Sequence, residues 1–396
     1  MRFIHIFCSP TKSFNKRSQT LRSKCLLQLS NGTQFEGDLI GAPLISSGEM
    51  VFTTGMVGYS EAITDPSYFG QILVFSYPLI GNYGIPKLPL DNSWPIPRGF
   101  ESNKAHTSGV IISLDSTDCY HWNSFESLDK WLEAQGIPGI VGLDTRHLVQ
   151  TIRNNKNLLG RIVPSEPTGE LSRGSFTPNL ENFYDPSQHE ILGFVTKGQP
   201  ATLTQGTPKI GVIDCGVKAN ILRQLEASGA GIELIPWDQD FSKFKVDGWL
   251  ISNGPGDPTK TGQLIEKVKT LIKEDRPILG ICLGHQILSL AAGAKTHRME
   301  YGHRSHNQPV RLMETRRGFI TSQNHGYVVE ETSIPKNWQV WFKNANDSTV
   351  EGIRHSSLPL RSVQFHPEAA GGPRDTGWIL QEFIDEVRNR CQSSKS

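Results

Sequence analysis

The sequence lacks several features that would assign it to a specialised class of protein. Its 396 residues include only 6 cysteines, spread singly, and none of them forms a Cys-x-x-Cys pair. That spacing indicates neither a zinc knuckle nor a dithiol redox site, and it is typical of a reducing compartment rather than a disulfide scaffold. No hydrophobic run approaches the ~18 residues of a membrane-spanning helix, so we expect no membrane association.

Neither sign of charge dominates the chain. The 40 lysines and arginines face 39 aspartates and glutamates, for a net charge of +1. This balance argues against a nucleic-acid-binding protein that relies on a strongly basic surface. Hydrophobic residues make up 37% of the chain, which is enough to bury a core and excludes wholesale disorder. At ~100–200 residues per domain, the length predicts two or three domains.

The first 24 residues form a basic extension, and no acidic residue precedes Glu36. Two interpretations remain open for residues 1–24, a disordered extension or an organelle transit segment. The first predicts a cytoplasmic protein, and the second places it in a mitochondrion or plastid.

Residues 25–165 have the short alternating runs of a β-rich domain. Asn31-Gly32 is a hairpin-turn dipeptide between two such runs. Ser127 and Asp144 are good N-caps for two helices. The segment Gly55–Tyr68 is dense in turn formers and is expected to be a loop. Residues 166–207 contain several proline turns and little periodicity, so we interpret them as a connecting segment.

The hydrophobic pattern is different in residues 208–392, where nearly continuous apolar strands are predicted to alternate with amphipathic helices. Residues 209–214 read as a strand, residues 219–227 as a helix, and further strands are expected at 232–237, 248–252 and 277–281. This order predicts a doubly wound, mostly parallel sheet, and therefore an α/β fold preceded by the smaller β-rich domain. Ligands then bind at the carboxyl ends of the strands.

Gly280-Ile-Cys-Leu-Gly284 is the sharpest chemical feature of the sequence. It follows a predicted buried strand and leads into a helix, which is the pattern of a nucleophile elbow with cysteine in place of serine. The helix N-terminus favours the thiolate of Cys282, and the backbone N–H of Leu283 follows it as an oxyanion donor. The alternative is a buried cysteine beside glycines that only allow close packing.

A thiolate requires a base, and the base requires a group that orients it. His366-Pro-Glu368 follows an alternating run near the C-terminus, and Pro367 keeps the backbone extended, so the two side chains can lie on one side. By itself a His-x-Glu sequence is more often a surface ion pair. Together with the elbow, it predicts a Cys–His–Glu constellation.

Two further segments carry polar groups at predicted strand ends. In Asn253–Pro258, Gly254 and Gly256 allow backbone N–H groups to approach a ligand, although a plain turn is the alternative. In Ser322–Tyr327, Asn324 could pair with an amide or a carboxylate. The scattered histidines have no tight ligand spacing with a carboxylate, so no metal site is predicted.

These motifs together resemble class I glutamine amidotransferases. Four further segments narrow the resemblance to the small subunit of carbamoyl phosphate synthetase, and it extends from about residue 25 to residue 390. Those segments are Gly55–Tyr68, Tyr77–Asn82, Gly142–Arg146 and Cys215–Ile221.

The resemblance implies hydrolysis of L-glutamine to glutamate and ammonia through a cysteine thioester. It implies a heterodimer, or a higher oligomer, with the large synthetase subunit, which uses ammonia, bicarbonate and two molecules of ATP to make carbamoyl phosphate for pyrimidines and arginine. ATP and Mg²⁺ belong to that subunit, so no cofactor is expected in this chain. By motif, Cys282 is the nucleophile, His366 the base and Glu368 its support. The resemblance assigns glutamine binding to Ser67, Gly254, Gly256, Leu283, Gln286, Asn324, Gly326 and Tyr327.

Two alternatives stay open. The chain could be the glutaminase of another synthase, but those glutaminases lack a domain like residues 1–165. It could also be a non-catalytic docking or regulatory subunit, but the presence of Cys282, His366 and Glu368 argues against this.

Overall fold

The computed structural model describes residues 22–87, 94–116, 121–172, 182–196 and 198–393. Most of the predicted basic extension, residues 1–21, therefore lies outside the described residues, as do residues 173–181 and 197 of the predicted connecting segment. No helix within the described ranges is long and apolar enough to cross a membrane.

The first half of the chain folds into a β-rich unit. Its strands are β1 (Lys24–Leu29), β2 (Gln34–Gly41), β3 (Leu44–Thr53), β4 (Gln71–Phe75), β5 (Leu79–Ile80), β6 (Gly109–Ile112), β7 (Leu114–Asp115), β8 (Pro138–Val141), β9 (Leu159–Pro164) and β10 (Gly169–Glu170). Eight of them form one sheet in the order β10-β3-β4-β6-β8-β2-β1-β9, and β3 also pairs with β9. This extra pairing closes the sheet into a barrel-like ring, while β5 pairs with β7 separately.

Two local predictions for the first half are confirmed, the hairpin turn and the N-caps of two helices. β1 and β2 form the antiparallel hairpin predicted around Asn31-Gly32, and Gly32 adopts a left-handed φ of 88°. Helices α2 (Leu128–Ala134) and α3 (Thr145–Asn154) begin after Ser127 and Asp144, whose side chains accept backbone N–H groups as caps.

The segment Gly55–Tyr68 was expected to be a loop, and that prediction is wrong. It contains helix α1 (Tyr59–Thr64) followed by a 3₁₀ turn over Pro66–Tyr68. Asp65 starts the 3₁₀ turn by accepting the N–H of Ser67 at 2.9 Å. Tyr59 and Ile63 of α1 are buried in the barrel core, so tertiary packing rather than intrinsic propensity stabilises this short helix.

The second half is the predicted α/β unit. Its strands are β11 (Ala201–Thr204), β12 (Lys209–Asp214), β13 (Gly231–Pro236), β14 (Gly248–Ile251), β15 (Ile278–Ile281), β16 (Thr296–Leu312), β17 (Gly318–Val329), β18 (Trp338–Asn344), β19 (Val350–His355) and β20 (Leu360–Val363). Its helices are α4 (Ala219–Ala227), α5 (Gly262–Leu271), α6 (Leu283–Ala292) and α7 (Trp378–Ser393). The sheet order is β11-β13-β12-β14-β15-β20-β19-β18-β16-β17.

The centre of this sheet is parallel, from β13 through β12, β14 and β15 to β20. Its far side is antiparallel and ends in the long β16–β17 hairpin. Ile210 and Val212 of β12 point into the core on one face, and Ile213 points into the core on the other. Burial on both faces explains why these strands read as continuous apolar runs.

The aromatic cluster under the antiparallel side is predicted to be important for stability. Phe342 of β18 is fully buried, and its ring lies 5.2 Å from the ring of Phe365 in an edge-to-face contact. We expect Phe342→Ala to lower the free energy of unfolding by about 3–5 kcal/mol, because it removes these contacts and leaves a cavity. Phe125→Ala is the control, since Phe125 is 63% exposed. Urea denaturation midpoints check the prediction, and equal shifts in the two variants would contradict it.

Candidate active site

The residues predicted to be catalytic or to bind the substrate lie at one edge of the second sheet, at the carboxyl ends of its parallel strands. Cys282 follows β15, residues 253–256 follow β14, and His366 lies three residues beyond β20. Neighbouring parallel strands have their carboxyl ends at the same edge, so these residues, distant in sequence, become neighbours. The barrel contributes Ser67 from the turn after α1, and Asn253 Nδ2 donates to Ser67 Oγ at 3.0 Å.

Cys282 occupies the turn between β15 and α6 in a sparsely populated backbone conformation. Its φ is 54° and its ψ is −103°, values that non-glycine residues rarely adopt. Such strain persists only where the surrounding structure over-determines it. The N–H of Cys282 donates to the carbonyl of Val363 at 2.9 Å, and the carbonyl of Cys282 accepts from the N–H of Gln286 at 3.2 Å. The predicted nucleophile elbow is therefore present as a strand–turn–helix.

The two glycines of the elbow are required by close backbone approach. A Cβ atom on Gly280 would lie 2.5 Å from the carbonyl oxygen of Gly284. A Cβ atom on Gly284 would lie 2.1 Å from the carbonyl oxygen of Ile251 on β14. Any larger residue would push α6 away from the sheet and move the sulfur.

His366 and Glu368 form a buried pair behind the sulfur. His366 Nδ1 lies 2.6 Å from Glu368 Oε1, and both residues are 1% exposed. Because a carboxylate only accepts, Nδ1 carries the proton and Nε2 is the nitrogen available for proton exchange. The N–H of His366 donates to the carbonyl of Ser322 at 2.9 Å, which fixes the strand end.

The surroundings of this buried pair favour a charged ring and a charged carboxylate. Burial and the cation of Lys218 oppose a charge on the His366 ring, but Glu368 and Cys282 outweigh them and raise the pKa of His366 to about 10. Burial also opposes the charge on Glu368, whereas His366 and then Lys218 lower the pKa of that carboxyl. The contribution of His366 to stability is therefore complete below the ordinary histidine pKa of about 6.5 and is lost as the pH rises through about 10.

The sulfur and the free ring nitrogen are buried close to polar groups. Gln364 Nε2 donates to Cys282 Sγ at 3.6 Å, and the carbonyl oxygen of Asn324 lies 3.7 Å from the same sulfur. His366 Nε2 has no hydrogen bond of good geometry among the described residues, although Cys282 lies near enough to raise the pKa of the ring. Catalytic hydrogen bonds are commonly long before substrate binds, so this arrangement is compatible with proton transfer between the two side chains.

Lys218 belongs to this constellation, although no role was predicted for it from the sequence. Its Nζ atom lies 3.7 Å from Glu368 Oε1 and 3.3 Å from Asp65 Oδ2, and its side chain is 12% exposed. Burial opposes its charge, but Asp65 and then Glu368 raise the pKa of Lys218 above its ordinary value. Its position in the chain could have indicated a role, because Lys218 lies between β12 and α4 at the carboxyl edge of the sheet.

Seven of the eight residues predicted to bind glutamine line one pocket together with Cys282. They are Ser67, Gly254, Gly256, Gln286, Asn324, Gly326 and Tyr327. The eighth, Leu283, has a buried side chain, and only its backbone next to Cys282 can serve the site. His366 lines a second cavity beside this pocket, together with Lys218 and Glu61. Glu368 lies behind the ring and lines neither cavity.

Hydrogen bonds and close packing hold the walls of the pocket. Gln286 Nε2 donates to the carbonyl of Tyr327 at 2.9 Å and to Gln364 Oε1 at 3.0 Å, which ties α6 to β17. A Cβ atom on Gly254 would lie 2.1 Å from the carbonyl of Cys215, and Gly256 has a φ of 93°. Both glycines are therefore required for the shape of this turn.

One wall of the pocket carries charges that were not predicted from the sequence. Arg298 Nη2 lies 2.6 Å from Glu49 Oε1, and Arg304 Nη2 lies 3.9 Å from the same oxygen. Two guanidinium groups facing one carboxylate leave this end of the pocket net positive, which suits a ligand that carries a carboxylate. The residues come from β16 and β3, so no local pattern could have joined them.

Two family models match the chain in the expected order. Residues 27–162 match the model described as carbamoyl-phosphate synthase small chain, CPSase domain. Residues 211–386 match the model described as glutamine amidotransferase class-I. The second range contains Cys282, His366 and Glu368.

Curated relatives match nearly the whole chain. The arginine-specific small chain of carbamoyl phosphate synthase from Neosartorya fischeri is 42% identical over 94% of this chain and 82% of its own length. The multifunctional protein CAD of Squalus acanthias is 47% identical over 92% of this chain, and the multifunctional protein ura1 of Schizosaccharomyces pombe is 41% identical over 98%. The chain spans only 16% and 18% of the lengths of these two multifunctional relatives.

The elbow predicts a sharp difference between two glycine substitutions. We expect Gly284→Ala to cost about 1–3 kcal/mol of stability, because the new methyl group would overlap the Ile251 carbonyl. Gly262→Ala at the start of α5 is the matched control, since a Cβ atom there has no neighbour within 4 Å. We expect the control to be neutral or slightly stabilising. Urea denaturation checks both variants, and an unchanged midpoint for Gly284→Ala would contradict the described packing.

Proposed function

Since the chain belongs to the carbamoyl phosphate synthase small chain family, within the class I glutamine amidotransferases, we propose that it is a glutaminase that supplies ammonia to a synthetase. The observation that carries this proposal is the position of Cys282. It lies on a strained elbow, lines a polar pocket and is close enough to the buried His366–Glu368 pair to raise the pKa of the ring.

In the first half-reaction, the Cys282 thiolate attacks the γ-carboxamide carbon of L-glutamine. The carbonyl oxygen becomes an oxyanion, and we expect the backbone N–H of Leu283 and those of the glycine turn at residues 254–256 to stabilise it. The charged His366 then gives its Nε2 proton to the departing nitrogen as the C–N bond breaks. Ammonia leaves, and a γ-glutamyl thioester remains on Cys282.

In the second half-reaction, water hydrolyses the thioester. His366, now neutral, accepts a proton from the attacking water, and the C–S bond breaks to release glutamate and restore the thiolate. Glu368 keeps the ring in one tautomer and stabilises the imidazolium in both steps. Lys218 in turn holds the Glu368 carboxylate from behind.

The pocket supports glutamine as the substrate. Gln286, Asn324 and the backbone of Gly326 and Tyr327 offer amide and carbonyl groups that can pair with an amino acid. The positive end formed by Arg298 and Arg304 can face its α-carboxylate. The glutaminase chemistry requires no cofactor in this chain.

The relatives support a partner as well. A protein named as a small chain implies a large one, and we propose a large synthetase subunit in a heterodimer or higher oligomer. That subunit would bind ATP and Mg²⁺ and use bicarbonate and the ammonia to make carbamoyl phosphate for arginine and pyrimidines. The compartment remains a prediction, cytoplasmic or, if residues 1–24 are a transit segment, organellar.

The Glu368 carboxylate is predicted to set the activity of the base. Glu368→Gln removes the negative charge that raises the pKa of His366, so that pKa falls and the tautomer is no longer fixed. We expect glutamine hydrolysis to fall by a factor on the order of 10²–10⁴. Glu266→Gln, on the exposed face of α5, should leave the rate unchanged. Rates of glutamate release across pH check this, and equal rates in the two variants would remove Glu368 from the mechanism.

The proposed function itself is tested by trapping the intermediate. The full chain, with and without a synthetase partner, is mixed with labelled glutamine, quenched and digested for mass spectrometry. We expect a γ-glutamyl adduct on Cys282 and none on Cys391, a half-buried cysteine in α7.

Substitution completes that test. Cys282→Ser should abolish the adduct and glutamine-dependent synthesis but leave ammonia-dependent synthesis by the complex intact, whereas Cys391→Ser should change neither. No adduct and no glutamate release from the wild-type complex would overturn the proposal. Persistence of glutamine use in Cys282→Ser would show that another residue is the nucleophile.

A further inference from the structure

Two histidines and a glutamate that the glutaminase chemistry does not use meet beside the pocket. His303 of β16 and His325 of β17 are directly opposite each other, with ring centroids 4.9 Å apart. Glu351 enters from β19, and all three residues are buried. One ligand-type atom from each lies within 4.8 Å of the others. No tight ligand spacing in the sequence joins these histidines to a carboxylate, because Glu351 comes from a different strand.

The outer nitrogen of each ring is held by a group that can only accept. His303 Nε2 lies 2.9 Å from the carboxylate oxygen Oδ2 of Asp347. His325 Nδ1 lies 2.9 Å from the backbone carbonyl oxygen of Tyr327. With the ring proton on the outer nitrogen, each histidine donates to its outer partner. In a neutral imidazole, this leaves the inner nitrogen with a lone pair.

The inner nitrogens both face the same carboxylate. His303 Nδ1 lies 3.3 Å from Glu351 Oε1, and His325 Nε2 lies 3.9 Å from it. His325 Nε2 also lies 3.0 Å from the amide oxygen of Gln323. The lone pairs of the two inner ring nitrogens and of the neighbouring oxygens therefore face one another inside the protein. Buried acceptors that lack a hydrogen-bond donor destabilise the folded state.

The surrounding side chains supply fewer hydrogen-bond donors than this group of acceptors requires. Asn344 Nδ2 donates to Glu351 Oε1 at 3.1 Å and lies 3.4 Å from His303 Nδ1. The second carboxylate oxygen, Glu351 Oε2, is buried and has no hydrogen bond of good geometry among the described residues, although the Gln323 side chain lies near enough to favour the ionised carboxylate. A cation at the centre would compensate the carboxylate and both ring lone pairs.

We propose that His303, His325 and Glu351 bind a divalent transition-metal ion, with Zn²⁺ as the best match. Zinc bonds to imidazole nitrogen and carboxylate oxygen at about 2.0–2.2 Å, so ligand atoms around it lie roughly 3.3–3.5 Å apart. The two nitrogen–oxygen separations of 3.3 and 3.9 Å are near this spacing. The third separation, between the two ring nitrogens, is within 4.8 Å, so the hairpin rings must move toward the ion when it binds. Gln323 Oε1 or a water supplies the fourth ligand.

The outer partners match those of known zinc sites. A metal-binding histidine typically donates its other N–H to a carboxylate or a backbone carbonyl, which fixes the ring and raises its basicity. Asp347 and the Tyr327 carbonyl have these positions. The ion would tie the β16–β17 hairpin to β19, next to Asn324 and Gly326 of the pocket, and so has a structural role.

A proton is the competing occupant. A doubly protonated His303 would donate to Glu351 and Asp347 at once and would compensate the carboxylate without a metal. The two occupants differ in stoichiometric metal content and in spectroscopy, and neither readout depends on glutamine hydrolysis. The metal proposal therefore stands or falls separately from the proposed function.

The experiment uses the full chain, stripped with a chelator and titrated with Co²⁺ as a spectroscopic substitute for Zn²⁺. We expect one equivalent of Co²⁺ to give the visible absorption of a low-coordinate N/O site, and Zn²⁺ to displace it. Glu351→Gln should abolish the signal. Asp347→Asn, which changes only an outer partner, should weaken binding roughly 10–100-fold. His297→Asn is the matched control, since His297 is exposed on the same hairpin, and it should bind as the wild type does.

Absence of a stoichiometric Co²⁺ signal in the wild-type chain would overturn the proposal and leave the proton as the occupant. Binding that is unchanged in Asp347→Asn and lost in His297→Asn would place the metal elsewhere. Asp347 is partly exposed, so this variant keeps the test valid even if Glu351→Gln does not fold.

Discussion

The strained backbone of Cys282 fixes the position of the sulfur and, through it, the geometry of the whole site. A φ of 54° at a non-glycine residue persists because β15, α6 and β20 leave the chain no other path between strand and helix. The contact of Gly284 with Ile251 sets the depth of the helix on the sheet. The bond from Cys282 to Val363 sets its distance from the strand that leads to His366. The position of the sulfur is thus a property of sheet packing rather than of a flexible loop.

The second requirement is the contact between the two sheets. The α/β unit supplies Cys282 and the His366–Glu368 pair, but the barrel supplies Asp65 beside Lys218 and Ser67 beside Asn253. The buried cation of Lys218 therefore bridges a carboxylate from each unit. This arrangement gives the N-terminal unit a direct part in the electrostatics of the site.

Much of this could be predicted from the sequence where local chemistry is decisive. The strand at 209–214, the helix at 219–227 and the elbow at Cys282 have the predicted bounds or turn, because apolar runs, caps and close-packed glycines act over a few residues. The β16–β17 hairpin was not predicted, since its polar, histidine-rich strands lack a clear period. Lys218 and Glu351 were missed for a related reason: their partners are distant in sequence and only the fold brings them together.

Cys282 and His366 act as one unit at the elbow, and the reactivity of the sulfur can be measured to test this. The alkylation rate of each cysteine by iodoacetamide can be followed by mass spectrometry at neutral pH in the wild type and in His366→Asn. We expect Cys282 to react faster than Cys391 despite its deeper burial, and His366→Asn to remove this difference. Equal rates at the two cysteines, or a Cys282 rate that does not change in His366→Asn, would contradict it.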